Sequence, residues 1–157
     1  MMSTLNVTII NENEDTSIPT QEQFERWAAA TSTEINKNQN HHYTDVNIAI
    51  VDSNKIQQLN SEFRHIDKPT NVLSFPCTPF PGEIETFLGD IAICASIVND
   101  EALSQGKKTE AHWAHLTVHA ILHLLGHDHE NEADASKMEN LEIHILRELG
   151  YNNPYND

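Results

Sequence analysis

The sequence predicts an α+β fold: a single compact domain with about four short strands in a mixed sheet and about five helices. Three observations lead there. Short segments in which apolar residues alternate with polar ones are interleaved with longer segments that space them by three and four. Polar, proline or glycine residues punctuate the breaks between them. A length of 157 residues also suits one core, enough to bury roughly two-thirds of the surface an unfolded chain exposes.

Leu5 to Ile10 alternates apolar and polar residues, the period of a half-buried strand. After the polar Asn11 to Ser17, Pro19 and Thr20 open a helix whose apolar face is Phe24, Trp27, Ala28 and Ala30. Thr31 to Thr44 is polar and is expected to be a loop. Asp45 to Val51 alternates again as a second strand. Asp52 is the expected N-cap of a helix running to about Phe63, with Ile56, Leu59 and Phe63 on its apolar side. Asn71 to Phe75 is a short strand, and Pro76 to Thr86, with three prolines and Gly82, is a loop. Leu88 to Cys94 is nearly continuous in apolar residues and is therefore expected in the interior of the sheet. Helices follow over Ile97 to Gln105 and Thr109 to Leu125, with Gly106 between them. The last runs from about Glu132 to Leu149, with Leu141, Ile145 and Leu149 stacked, and Gly150 and Pro154 end it. No repeat, low-complexity block or linker interrupts this order, so residues 1–157 are expected to form one domain.

The formal net charge is −15. An acidic surface repels phosphate backbones, which argues against a general nucleic-acid binder but leaves room for a local basic cleft. Cys77 and Cys94 make neither a disulfide framework nor a CxxC pair. Cys94 ends an apolar run and is expected as a small buried hydrophobe; Cys77, in the proline-rich loop, is the more accessible thiol. No apolar stretch approaches the roughly 20 residues that span a bilayer, and Met1 to Leu5 carries no basic leader. The expectation is a soluble cytoplasmic protein.

Six of the ten histidines lie between His112 and His129. Positions 112, 115, 119 and 123 fall along one helical stripe, and His119 and His123, four apart, stack on one face. Gly126 supplies a helix stop, because glycine adopts the left-handed conformation that closes a C-terminus. The chain can then bring His129 back toward them. Three imidazoles with an open position describe a catalytic zinc site held by His119, His123 and His129. His127 is left open as a competitor of His129. For His112 and His115 the expected role is structural, and Asp128 is either an orienting carboxylate or a turn cap. The residue after His119 is Ala120, where HExxH peptidases carry their glutamate base, so peptide hydrolysis is disfavoured. The metal could instead act alone by lowering the pKa of its water to about 7.

In a chain with nine basic residues, Arg64, His65 and Lys68 form one of the few positive clusters. An arginine fork near a metal suits phosphate oxygens, although a cation ending a helix is also favoured by the macrodipole. Asp90 is expected at a turn or as a carboxylate supporting the site. Glu132, Asp134, Glu139, Glu142 and Glu148 are expected as a solvated acidic face.

The run His119-Ala-Ile-Leu-His123-Leu-Leu-Gly126-His127-Asp128-His129 resembles the HGxLHLxGYDH signature of the YbeY family of bacterial metal-dependent endoribonucleases. Asn60-Ser-Glu-Phe-Arg64 with Thr70-Asn71-Val-Leu-Ser-Phe75 is similar to that family's NxxFR…TDVLSF stretch, and Leu88-Gly-Asp-Ile matches its LGDI strand. The resemblance covers about residues 45 to 150. Ala120, Asn71 and His127 depart from the family's usual glycine, aspartate and tyrosine. The resemblance implies one zinc ion on His119, His123 and His129, and catalysis carried by Arg64 and His119. His65 and Lys68 would help position substrate. It also implies cleavage of single-stranded ribosomal RNA in maturation of the 16S 3′ end and in ribosome quality control. Expected partners are the ribosome or small-subunit proteins, with neither membrane nor DNA. Two rivals stand beside it: a metal-dependent hydrolase of another substrate, and a non-catalytic ribosome-assembly factor stabilised by zinc.

Overall fold

The computed structural model describes residues 5–37, 42–77, 81–82, 86–126 and 132–155. Its elements are β1 (Asn6–Asn11), α1 (Gln21–Asn36), β2 (Asp45–Val51), α2 (Ser53–Arg64), β3 (Val72–Pro76), β4 (Phe87–Cys94), α3 (Ala95–Ser104), α4 (Thr109–Leu124) and α5 (Glu132–Glu148). The strands make one sheet in the order β1-β2-β4-β3. β2 pairs in parallel with β1 and β4, and β3 is antiparallel to β4. The sheet is therefore mixed, and the most apolar strand occupies an interior position, as its composition demands.

Period-two alternation sends side chains to two faces. Val46, Ile48 and Ile50 of β2 join Ile91 and Ile93 of β4 in the main core, against Phe24 and Trp27 of α1 and Trp113, Val118 and Ile121 of α4. The opposite face, Val51, Leu73, Ala92 and Cys94, packs on Ile56 of α2. Cys94 is fully buried, as expected. The Asp52 cap read from sequence forms, and Thr20, where α1 opens, caps that helix as well. Asp52 accepts from the Lys55 backbone N–H at 2.7 Å, and Thr20 forms a reciprocal capping box with Gln23 at 3.1 and 2.8 Å.

One residue breaks the alternation to useful effect. Asp45 pairs with Phe87, but Val46 pairs with Gly89, so Leu88 is an extra residue in β4. The bulge lets Leu88 share the main core with Ile91 and Ile93 despite its opposite parity. Gly89 has φ +150°, and a Cβ there would stand 2.5 Å from the Phe75 carbonyl oxygen and 3.0 Å from Leu124 Cδ2. The Leu124 side chain could turn aside, but the β3 backbone cannot retreat cheaply. Gly89→Ala should lower stability by at least about 1–3 kcal/mol, read as a fall in the urea midpoint at unchanged slope.

Two expectations need correction. Thr31 to Asn36 is not loop: α1 continues through it, burying Thr31, Ser32 and Ile35. Those positions extend the stripe of Phe24, Trp27 and Ala28 by threes and fours. Thr31 enters the core because its hydroxyl donates to the Trp27 carbonyl at 2.8 Å. Asp90 is not at a turn; it lies inside β4, exposed, accepting from Asn47 Nδ2 at 3.2 Å. Of the predicted loop Pro76 to Thr86, residues 78–80 and 83–85 lie outside the described residues.

Candidate metal centre and active site

α4 is the scaffold of the site. Ala114, Val118, Ile121 and Leu122 face the core, which turns the stripe of His115, His119 and His123 to a half-buried side. Gly126 ends the helix with φ +98°, its N–H donating to the His123 carbonyl at 3.1 Å, so the predicted stop forms. His127, Asp128 and His129 lie outside the described residues, and with them the third predicted ligand and its competitor.

His119 and His123 line one cavity of about 360 Å³ together with Arg64, Lys68, Asn71 and Ser74. Those residues come from four elements or their junctions. Arg64 is the last residue of α2, where its charge also suits the helix dipole. The turn after it is held by the buried Asn60, whose Nδ2 donates to the Lys68 carbonyl at 2.9 Å while its own carbonyl accepts from Ile66 N–H at 3.2 Å. Ser74 of β3 donates to the Ala120 carbonyl at 3.3 Å, docking the strand on α4. Asn71 Nδ2 donates to Glu101 Oε1 at 3.0 Å. Chain segments about 50 to 60 residues apart thus bring the basic cluster and the histidine stripe together. His65 is the left-handed C-cap of α2, φ 61°, and is not among the cavity's lining residues.

Behind the stripe stands a group that sequence reading assigned to solvent. Glu142 of α5 has no exposure and meets His119 Nδ1 through Oε1 and the Tyr155 hydroxyl through Oε2. Burial by itself would raise its carboxyl; the polar groups of His115, His119 and Tyr155 that face it overcome that and hold it at about 2. Burial and the Glu142 carboxylate push the Tyr155 phenol up, so it remains a donor. Among the described residues, ligand atoms of His115, His119 and Glu142 lie within 4.8 Å of one another and could hold a metal ion. The missed signal was periodicity: Glu142 shares the α5 stripe of Met138, Ile145 and Leu146.

His112 is structural, as expected. It is buried, with Nε2 3.0 Å from Glu101 Oε1 and no hydrogen-bond partner for Nδ1. Burial lowers its pKa from 6.5 more than the Glu101 carboxylate raises it, and Lys107 and His115 add to the lowering. The folded state thus favours neutral His112, whereas the unfolded chain takes up a proton as pH falls below 6.5. Stability should decline as pH falls through and below 6.5, and His112→Gln should flatten that part of the urea-midpoint profile.

The comparisons bear on the family and the fold. The family model described as Endoribonuclease YbeY matches residues 8–150. A curated relative named Endoribonuclease YbeY, from Francisella philomiragia subsp. philomiragia, is 42% identical over 158 residues, spanning 98% of this chain and 97% of that relative. The solution structure of TM1509 from Thermotoga maritima superposes with a TM-score of 0.56 at 23% identity, covering 96% of this chain and 99% of that one, which speaks to the fold alone. A family match over most of the chain, with a relative this similar end to end, means that the chain belongs to the Endoribonuclease YbeY family.

Proposed function

We propose that this chain is a zinc-dependent endoribonuclease that cuts single-stranded ribosomal RNA in late 16S 3′-end maturation and ribosome quality control. It would act in the cytoplasm as one domain over residues 1–157. The observation that carries the reading is the shared cavity, lined by His119 and His123 together with Arg64 and Lys68.

The donor set fits a metal. His119 and His123 lie one helical turn apart, and a buried carboxylate engages the ring nitrogen of His119 that would not ligate. With His129 as the third, these residues would hold the ion, and imidazole donors suit zinc better than magnesium. A bound zinc supplies a Lewis acid for phosphate oxygens and activates the attacking oxygen. Arg64 would bind two phosphate oxygens through its fork and offset charge developing on them, while Lys68 would contact a neighbouring phosphate. Phe63, 58% exposed, stands one residue before Arg64 with its ring 5.2 Å from that of Phe75. An exposed aromatic ring beside a phosphate site is the surface on which unpaired bases stack. Against a peptidase, the position after His119 is the buried apolar Ala120.

Chelation should abolish cleavage of a single-stranded ribosomal RNA fragment, and added zinc should restore it, while double-stranded RNA, DNA and casein are cut far more slowly. Cleavage indifferent to chelation would overturn the metal's role. Zinc binding without any RNA cleavage would instead favour the assembly-factor rival.

A further inference from the structure

Glu142 lies on a helix whose other buried residues, Met138, Ile145 and Leu146, are apolar. A carboxylate without solvent persists only where specific partners compensate it. Oε1 meets His119 Nδ1 and Oε2 accepts the Tyr155 hydroxyl proton. His115 Nε2 lies 3.3 Å from the Tyr155 oxygen and 3.6 Å from Glu142 Oε2. Tyrosine has one proton and donates it to Glu142, so His115 donates to the tyrosine oxygen. An ionised carboxylate only accepts, so His119 carries a proton on Nδ1, and in the neutral ring Nε2 is then the lone-pair nitrogen. That is the tautomer a metal-ligating histidine needs.

Tyr155 reaches this position because the segment after α5 is tied back across α4. Lys107 Nζ donates to the Pro154 carbonyl at 3.1 Å, and Tyr155 N–H donates to Asn153 Oδ1 at 2.9 Å. The Tyr155 ring then packs edge-on against His115, with centroids 5.3 Å apart.

We propose that Glu142 is the positioning residue of the metal centre, fixing the His119 ring in the Nδ1–H tautomer so that Nε2 ligates, with Tyr155 as a latch that holds the carboxylate in place. The inference rests on the reading of His119 as a metal ligand. It differs from a site in which His115, His119 and Glu142 themselves bind the ion. There, the Glu142 oxygens would have to surrender the hydrogen bonds that both of them now make.

Zinc affinity, measured by competition with a chromophoric chelator, separates these cases without reference to RNA cleavage. Glu142→Gln should weaken binding by about 10–100-fold, and Tyr155→Phe by about 2–10-fold. Glu148→Gln, exposed on the same helix, should leave it unchanged. In wild-type protein as purified, the nitrogen spectrum of His119 should show a proton on Nδ1. Tyr155→Phe and this wild-type spectrum keep the test decisive if Glu142→Gln fails to fold. A proton on His119 Nε2, or unaltered affinity in folded Glu142→Gln, would overturn the proposal. So would complete loss of zinc in Glu142→Gln alongside full retention in His123→Ala, since that places the ion on Glu142 itself.

Discussion

His123→Ala is expected to lower cleavage of single-stranded RNA by about a thousandfold or more, because the proposed site would lose one of its three imidazoles and with it its hold on a metal that would supply several kcal/mol of transition-state stabilisation. The same variant should remain folded. His123 is only half buried, on the cavity side of α4, while Leu122 and Leu124 on either hand keep the helix in the core. Activity and zinc content should therefore fall together while the metal-free urea midpoint moves little. His119→Ala should match it in activity but lose more stability, since it leaves the buried Glu142 carboxylate without one of its partners. If His123→Ala, freed of contaminating nuclease, cleaved as fast as wild type, the site would be wrongly placed.

Arg64→Ala is expected to reduce kcat by about 100- to 1,000-fold, the usual consequence of removing one donor aimed at developing charge. Arg64→Lys should recover little, because an ammonium cannot reproduce the planar two-point grip on phosphate. Arg64→Glu should be worse than alanine and should also impair binding, placing a further negative charge on a chain that already carries a formal −15. Arg64 is exposed at the end of α2, so folding should change by no more than about 0.3–1 kcal/mol from the lost dipole interaction. Salt offers an independent readout. Arg64→Ala should reduce the slope of log affinity against log salt by about one, as expected for one lost phosphate contact. Unaltered kcat with a proportionate rise in KM would reduce Arg64 to a binding group.

Much of the fold was legible because period and punctuation are local properties. Asp45 to Val51 and Leu88 to Cys94 alternate or fill with apolar residues, Asp52 and Thr20 cap, and Gly126 stops α4 where expected. The errors arose where polarity was taken as exposure. Thr31 and Ser32 are polar and buried, continuing α1, and Glu142 is charged and buried. In each case the stripe position was in the sequence, but the partner that makes burial tolerable was not all local. The Trp27 carbonyl is four residues from Thr31. His119 and Tyr155 approach Glu142 from 23 residues before and 13 after.

By itself the sequence determined the mixed α+β architecture, the placement of His119 and His123 on one face of one helix, and the resemblance that named a family. Each depends on spacing within a few turns of chain or on a contiguous motif. Only the tertiary structure decided that Arg64 and Lys68 share a cavity with those histidines, and that Glu142 stands behind His119 rather than in water. The physical reason is that contacts between α2, β3, α4 and α5 are set by how two sheet faces and the helices on them fill space. A motif can state which groups a site contains; close packing settles which nitrogen of a histidine is held and by what.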